Sequence, residues 1–217
     1  MDALALAFYA VFFVVAFGWR TWVQSRRTGD TGLRLHASPG SVQWWAKLAF
    51  IAALGAGVAA PLAALAGLEP IEALDRTSIA IIGTVVALTG IGTTVAAQWA
   101  MGTSWRIGVD RNERTGLVTT GAFSVARNPI FTAMCLTALG LMLMVPNAIA
   151  VTGFVALIAA LELQVRLVEE PYLRSIHGQT YAEYAATTGR FVPGLGRDKS
   201  QAAPTHVFPA TPTRGQR

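Results

Sequence analysis

Residues 129–168 read PIFTAMCLTALGLMLMVPNAIAVTGFVALIAALELQVRLV. No charged residue occurs from Pro129 to Leu161, and the apolar run is interrupted once, at Pro146-Asn147. That pair favours a tight turn. At about 1.5 Å of rise per residue the first arm makes a helix of roughly 25 Å and the second one of roughly 30 Å. A hydrocarbon core is about 30 Å thick, so each arm is marginal as a span. Two such arms joined by a turn read as a helical hairpin that enters and leaves a membrane from one side.

Working outward, three more apolar segments precede the hairpin: Ala3 to about Val23, Trp44 to Leu65, and Thr77 to Trp99. The hairpin arms run from Pro129 to about Val145 and from Ala148 to about Val168. The chain is 53% hydrophobic and 13% charged, against roughly 25% charged residues in an average soluble domain. This predicts an all-α, polytopic membrane protein with about five transmembrane helices. The net charge of +5 does not point to nucleic acid, because the arginines flank apolar spans and read as topology signals.

Lysine and arginine fall after the first span, after the third, and from the end of the fifth onward; of the 17, only Arg76 lies on the other side, with Glu69, Glu72 and Asp75. The positive-inside rule then puts the N-terminus outside and the C-terminus in the cytoplasm. Asp2 stands where a cleavable signal would carry basic residues, and the first apolar run is long enough to span. Cys135 is the single cysteine, so no intramolecular disulfide and no cysteine metal site is indicated. From Gly194 onward the sequence is rich in Pro, Thr and Gly and reads as a disordered tail. The expected organisation is two helices in 1–76, a core in 77–193 and the tail in 194–217.

Two polar segments could carry chemistry. The first ends in Arg127-Asn128-Pro129-Ile130-Phe131. Pro129 suits a first helical turn, where its missing N–H would be unpaired anyway. The free donors of such a helix start favour a negatively charged ligand group; the plain alternative is an ordinary helix start beside a snorkelling Arg127. The second segment closes the fifth span, where Glu162, Arg166 and Glu169 or Glu170 recur at three- and four-residue spacing on one helical face. Glu162 and Arg166 can simply pair, and Pro171 can start a new helix after Glu169-Glu170. His177, beside Gly178, is expected in a turn. Trp44, Trp45 and Trp99 fit interfacial belts, and Gly83, Gly90 and Gly92 fit close helix packing.

Together LVTTGAFSVARNPIF (117–131) and EEPYLRSIHGQTYAEYAATTGRFVPGL (169–195) resemble the motifs of the isoprenylcysteine carboxyl methyltransferases and related phospholipid methyltransferases. The resemblance covers roughly residues 100 to 195. It implies an integral membrane methyltransferase that takes S-adenosylmethionine in a cytoplasmic cofactor pocket. By position, the implied cofactor contacts are Thr115, Gly116, Leu117, Val118, Phe123, Asn128, Pro129, Ile130, Phe131 and Glu169. Arg166 is the nearest match, one position displaced, to the arginine that contacts substrate, and it takes the catalytic assignment. Asn128 stands where the family usually has histidine, and Phe131 where it usually has tyrosine.

The expected reaction is S-adenosylmethionine-dependent methyl transfer to a hydrophobic or lipid-like acceptor, of the isoprenylcysteine carboxylate type or a related one. Lipids are the expected partners; neither metal nor nucleic acid is. The expected location is an inner (plasma) membrane of bacterial type. Two alternatives stay open: an NADPH-dependent membrane reductase resembling sterol reductases, which usually have more spans and longer chains, and a non-enzymatic membrane protein that keeps the fold.

Overall fold

A computed structural model describes residues 1–34, 36–108 and 116–199. Among them the regular structure is helical, with two isolated bridge pairs, Leu33 with Ile107 and Ala126 with Gly189. The helices are α1 (Asp2–Thr28), α2 (Val42–Leu65), α3 (Thr77–Met101), the single turn α4 (Ala122–Val125), α5 (Pro129–Met144) and α6 (Ala148–Thr187). Four of these, α1, α2, α3 and α6, are long and apolar enough to cross a membrane, and α5 is a shorter apolar helix. The chain is thus an all-helical, polytopic membrane protein, with its five apolar helices on the five expected segments.

Small residues let the helices approach. A Cβ on Gly83 would sit 2.7 Å from the Gly140 carbonyl oxygen, and one on Gly90 would overlap the backbone of Thr137, so α3 and α5 touch backbone to backbone. Gly92, expected in the same role, faces open space: it lies two residues beyond Gly90, about 200° around the helix from that seam. The α2–α6 contact is similar, with Gly153 against Ala56. In a bilayer such close packing, rather than hydrophobic burial, holds helices together.

The hairpin turn is built by Asn147. Its Oδ1 accepts from the Ala150 N–H at 2.9 Å, capping α6, while its Nδ2 donates to the Ala60 carbonyl at 2.9 Å and ties the turn to α2. The side chain is almost fully buried, with both ends of its amide engaged.

Two wide π-helical turns interrupt long helices. In α1 the turn Val14–Trp19 is accompanied by a bond from Gln98 Nε2 to the Ala16 carbonyl at 2.8 Å, so a buried polar side chain of α3 serves a carbonyl of α1. In α6 the turn is Val165–Glu169. It explains how Pro171 is accommodated, in the first turn of the α-helical stretch Glu170–Thr187 that resumes after the wide turn, as a helix start there would have it. Proline has no N–H and crowds the carbonyl four residues back. Here the ladder has already been opened just upstream, and the helix continues through the proline to Thr187, with a break in its torsions at Gly178 beside His177.

The α5 helix has 16 residues, a length of about 24 Å against a core of about 30 Å. Its far end is level with the start of α6, because three residues join them. The shortfall therefore lies at its start, on the arginine-rich end of the bundle, and leaves Asn128 recessed and roughly level with the wide turn of α6. Trp19, Trp22, Trp45 and Trp99 stand exposed around that same end, as an interfacial belt requires.

Candidate active site

The recess at the start of α5 is closed by the chain that follows α6. The Arg127 and Asn128 N–H groups donate to the carbonyls of Gly189 (2.8 Å) and Arg190 (3.0 Å). Asn128 Nδ2 also reaches the Arg190 carbonyl, at 3.1 Å, and the Thr132 hydroxyl donates to that of Phe191 at 2.7 Å. The Tyr184 hydroxyl donates to the Phe123 carbonyl, holding α4 against the extension of α6.

At the centre is Glu170, 4% exposed. Its Oε1 accepts from Arg127 Nη2 at 2.8 Å and from Arg190 Nε at 2.7 Å, and its Oε2 accepts from Arg190 Nη2 at 3.0 Å. Arg174 stands 3.7 Å from the same carboxylate and pairs with Asp198. Arg127 does not snorkel. It is buried, and its terminal nitrogens also donate to the carbonyls of Ala185, Thr188 and Gly196, while its Nε is buried without a partner. A buried carboxylate is tolerated when it is paired and hydrogen-bonded in this way. The first residues of the tail expected from Gly194 are largely exposed but run past this cluster, where the Gly196 carbonyl accepts from Arg127 and the Asp198 N–H donates to the Ala185 carbonyl. The rest of that tail, like Thr115, lies outside the described residues.

The predicted cofactor contacts fall around this junction. Asn128, Pro129, Ile130 and Phe131 form the start of α5, and Phe123 is buried in α4 just before it. Gly116, Leu117 and Val118 lie in irregular chain leading to α4. Glu169 is the last residue of the wide turn, partly exposed, with Oε1 accepting from Gln164 Nε2 at 3.2 Å. Its neighbour Glu170 is bonded to Arg127, which ties this point of α6 to the start of α5. Arg166 stands apart on the exposed side of α6, paired with Glu162 one turn back.

The start of α5 is chemically open. Asn128 makes no side-chain cap, and its amide is turned to Arg190. The N–H groups of Ile130 and Phe131 find no acceptor among the described residues. A helix start with free donors accepts an anionic group.

Residues 78–180, just under half of the chain, match the family model described as PEMT, phospholipid methyltransferase. Over these residues the chain is similar to the phospholipid methyltransferase family. No curated protein and no solved structure matches the chain.

The phospholipid methyltransferase segment begins at the start of α3 and ends in the extension of α6. It therefore contains the α3–α5 seam, the open start of α5, both wide-turn carboxylates and Arg127. It stops short of Arg190, which closes the junction from outside the matched residues. Sequence reasoning missed Arg127, Glu170 and Arg190 as one cluster. The available signal was an excess of paired charge types, Arg127, Glu170, Arg174 and Arg190, close to the ends of apolar spans.

Proposed function

We propose that this chain is an S-adenosylmethionine-dependent membrane methyltransferase acting on a hydrophobic, lipid-like acceptor. The observation that carries the reading is the open start of α5, two unpartnered N–H groups on a helix that Arg127 and Glu170 tie to the end of the wide turn carrying Glu169. S-adenosylmethionine carries both complements, a carboxylate and groups that donate hydrogen bonds. The residues fit the cofactor: Ile130 and Phe131 N–H would hold its carboxylate, and Glu169 its amino or ribose groups. Gly116, Leu117, Val118 and Phe123 would line the same pocket, and Thr115 is proposed with them. When bound, the cofactor supplies an activated methyl group, whose in-line transfer needs alignment more than proton movement.

The chain's own part is to provide that alignment. Glu170 clamps Arg127 and Arg190, fixing the start of α5 against the residues that follow α6. The wide turn aims Glu169 away from Glu170, since adjacent helical residues point about 100° apart. Arg166, paired with Glu162 on an exposed face, is proposed to meet the acceptor where it arrives from lipid. Charges at that depth are costly unless paired or wetted, and so often mark substrate paths. We further propose residues 77–193 as the catalytic core, and an orientation with the arginine-rich end in the cytoplasm.

Calorimetric titration of the purified protein in detergent, with S-adenosylmethionine and separately with NADPH, tests the reading. Binding of S-adenosylmethionine alone is expected. Binding of NADPH alone would replace the reading with a reductase, and binding of neither would leave the fold without this activity.

A further inference from the structure

The first helix and the loop after it lie outside the family-matched residues, yet they carry two of the most deeply buried polar side chains of the molecule. Arg20 is 3% exposed and Gln24 is fully buried. Both are on α1, four residues apart and so on one face, and both reach out of their own helix. Arg20 Nη2 donates to the Gly102 carbonyl, and Gln24 Nε2 donates to the Thr103 carbonyl at 2.8 Å. These are carbonyls just past the end of α3, where the helix leaves carbonyls without internal partners and carries partial negative charge. The Arg20 guanidinium also lies over the buried Trp105 ring, 4.9 Å from its centre.

Packing alone does not account for this pair. Arg20 Nε and Gln24 Oε1 are buried with no hydrogen-bond partner, a penalty that aliphatic side chains filling the same space would avoid. What the polar side chains add is direction: they fix where two specific carbonyls lie. The following residues are pinned as well. Ile107 N–H donates to the Gly32 carbonyl at 2.9 Å, and Arg34 N–H donates to the Ile107 carbonyl at 2.8 Å. Lys47 Nζ holds the Arg34 carbonyl at 2.8 Å. Gly108, at φ +87°, leaves no room for a side chain against Arg34. Residues 102–108 are thus held from the N-terminal part of the chain, ahead in sequence of the contacts proposed at Gly116, Leu117 and Val118.

We infer that Arg20 and Gln24 are positioning residues for the proposed pocket: they set the course of residues 102–108, the last described stretch before Gly116–Val118. The inference rests on the proposed function only for its consequence on binding. The course of residues 102–108 can be tested without any ligand.

The test uses the full chain in detergent and the variants Arg20→Lys and Gln24→Ala. Arg20→Lys keeps the charge but loses the planar fork and the ring contact. Gln24→Ala removes one bond, and serves if Arg20→Lys does not fold. Hydrogen exchange followed by mass spectrometry is read on peptides spanning 102–118 and on those from α5 and α6. Titration with S-adenosylhomocysteine is run beside it. Faster exchange confined to 102–118, with about tenfold weaker binding, is the expected result. Exchange unchanged at 102–118, or raised evenly over the whole bundle, would overturn the inference. Should the unmodified chain not bind S-adenosylhomocysteine, the proposed activity fails while the exchange pattern still decides the positioning role.

Discussion

Between α3 and α5 the chain is held by close approach alone. Gly83, Gly90 and Gly140 bring the two backbones together, and the buried hydroxyls of Thr94 and Thr137 turn back to the carbonyls of Gly90 and Ala133 in their own helices. At the recessed start of α5 the joint is the reverse: Glu170, Arg127 and Arg190 form a buried ionic cluster that also takes in several main-chain carbonyls. The solvent explains the contrast. In hydrocarbon an unpaired polar group has no alternative partner, so a seam that spends none between helices is the safer one. Where α5 falls short of the interface, backbone must run irregularly, and irregular backbone at that depth is tolerated only when its polar groups are satisfied by protein. The proposed chemistry then falls where the joint is polar, because the same shortfall leaves a helix start open.

The hardest way to break this contrast is to remove the hub. Glu170→Ala leaves Arg127 buried without its carboxylate, and breaking a buried pair typically costs about 3–5 kcal/mol. Unfolding of the variant in a denaturing-detergent series, followed by circular dichroism, should show a loss of that size. A loss below about 1 kcal/mol would mean that the main-chain bonds hold the junction without the cluster.

The two joints were not equally legible in the sequence. The five apolar helices followed from charge-free runs, and Pro146-Asn147 marked a turn that Asn147 does build from both ends of its amide. Periodicity placed Glu162 and Arg166 on one face, where they pair. The Arg127–Glu170–Arg190 cluster was not legible, because its members are 43 and 20 residues apart and no local pattern links them. Pro171 marked the start of the α-helical stretch Glu170–Thr187, but not its continuity with the helix before it. A proline is locally a helix breaker, and only a wide turn just before it, which has no simple sequence mark, lets the helix pass. Gly92 shows the limit of composition: a glycine on a spanning helix promotes packing only on the face that meets a neighbour.

The adjacent carboxylates sharpen the comparison, since Glu170 serves the joint and Glu169 the proposed pocket. Glu169→Gln keeps the side-chain size and removes the charge, and losing a hydrogen bond to a charged group costs roughly 1.5–3 kcal/mol. Affinity for S-adenosylmethionine should fall about 10- to 150-fold, with unfolding unchanged. An equal affinity in the variant would move the cofactor's polar contacts away from Glu169.

On the apolar side, Gly90→Leu must push α3 off Thr137, and overpacking of this kind costs about 1–3 kcal/mol. Gly92→Leu, facing open space, should leave the unfolding curve where it is. Paired detergent-unfolding curves check both. Equal destabilisation of the two variants would show that helix propensity, rather than the seam, sets the outcome.

The smallest effect is expected at Asn128, which stands where the family it resembles usually has histidine. Its Nδ2 donates to the Arg190 carbonyl at 3.1 Å, but its own backbone N–H already donates to that carbonyl at 3.0 Å. Asn128→Ala therefore leaves no buried acceptor without a partner, which removes the larger part of the usual penalty for deleting a hydrogen bond. Stability should fall by about 0.5–1 kcal/mol, the low end for one such bond. The donors proposed to face the ligand, Ile130 and Phe131 N–H, belong to the backbone and survive the substitution. S-adenosylmethionine affinity should then change by less than about threefold, or roughly 0.7 kcal/mol. Calorimetry on the folded variant decides: a complete loss of binding would show that the side chain, and not the open helix start, does the recognition.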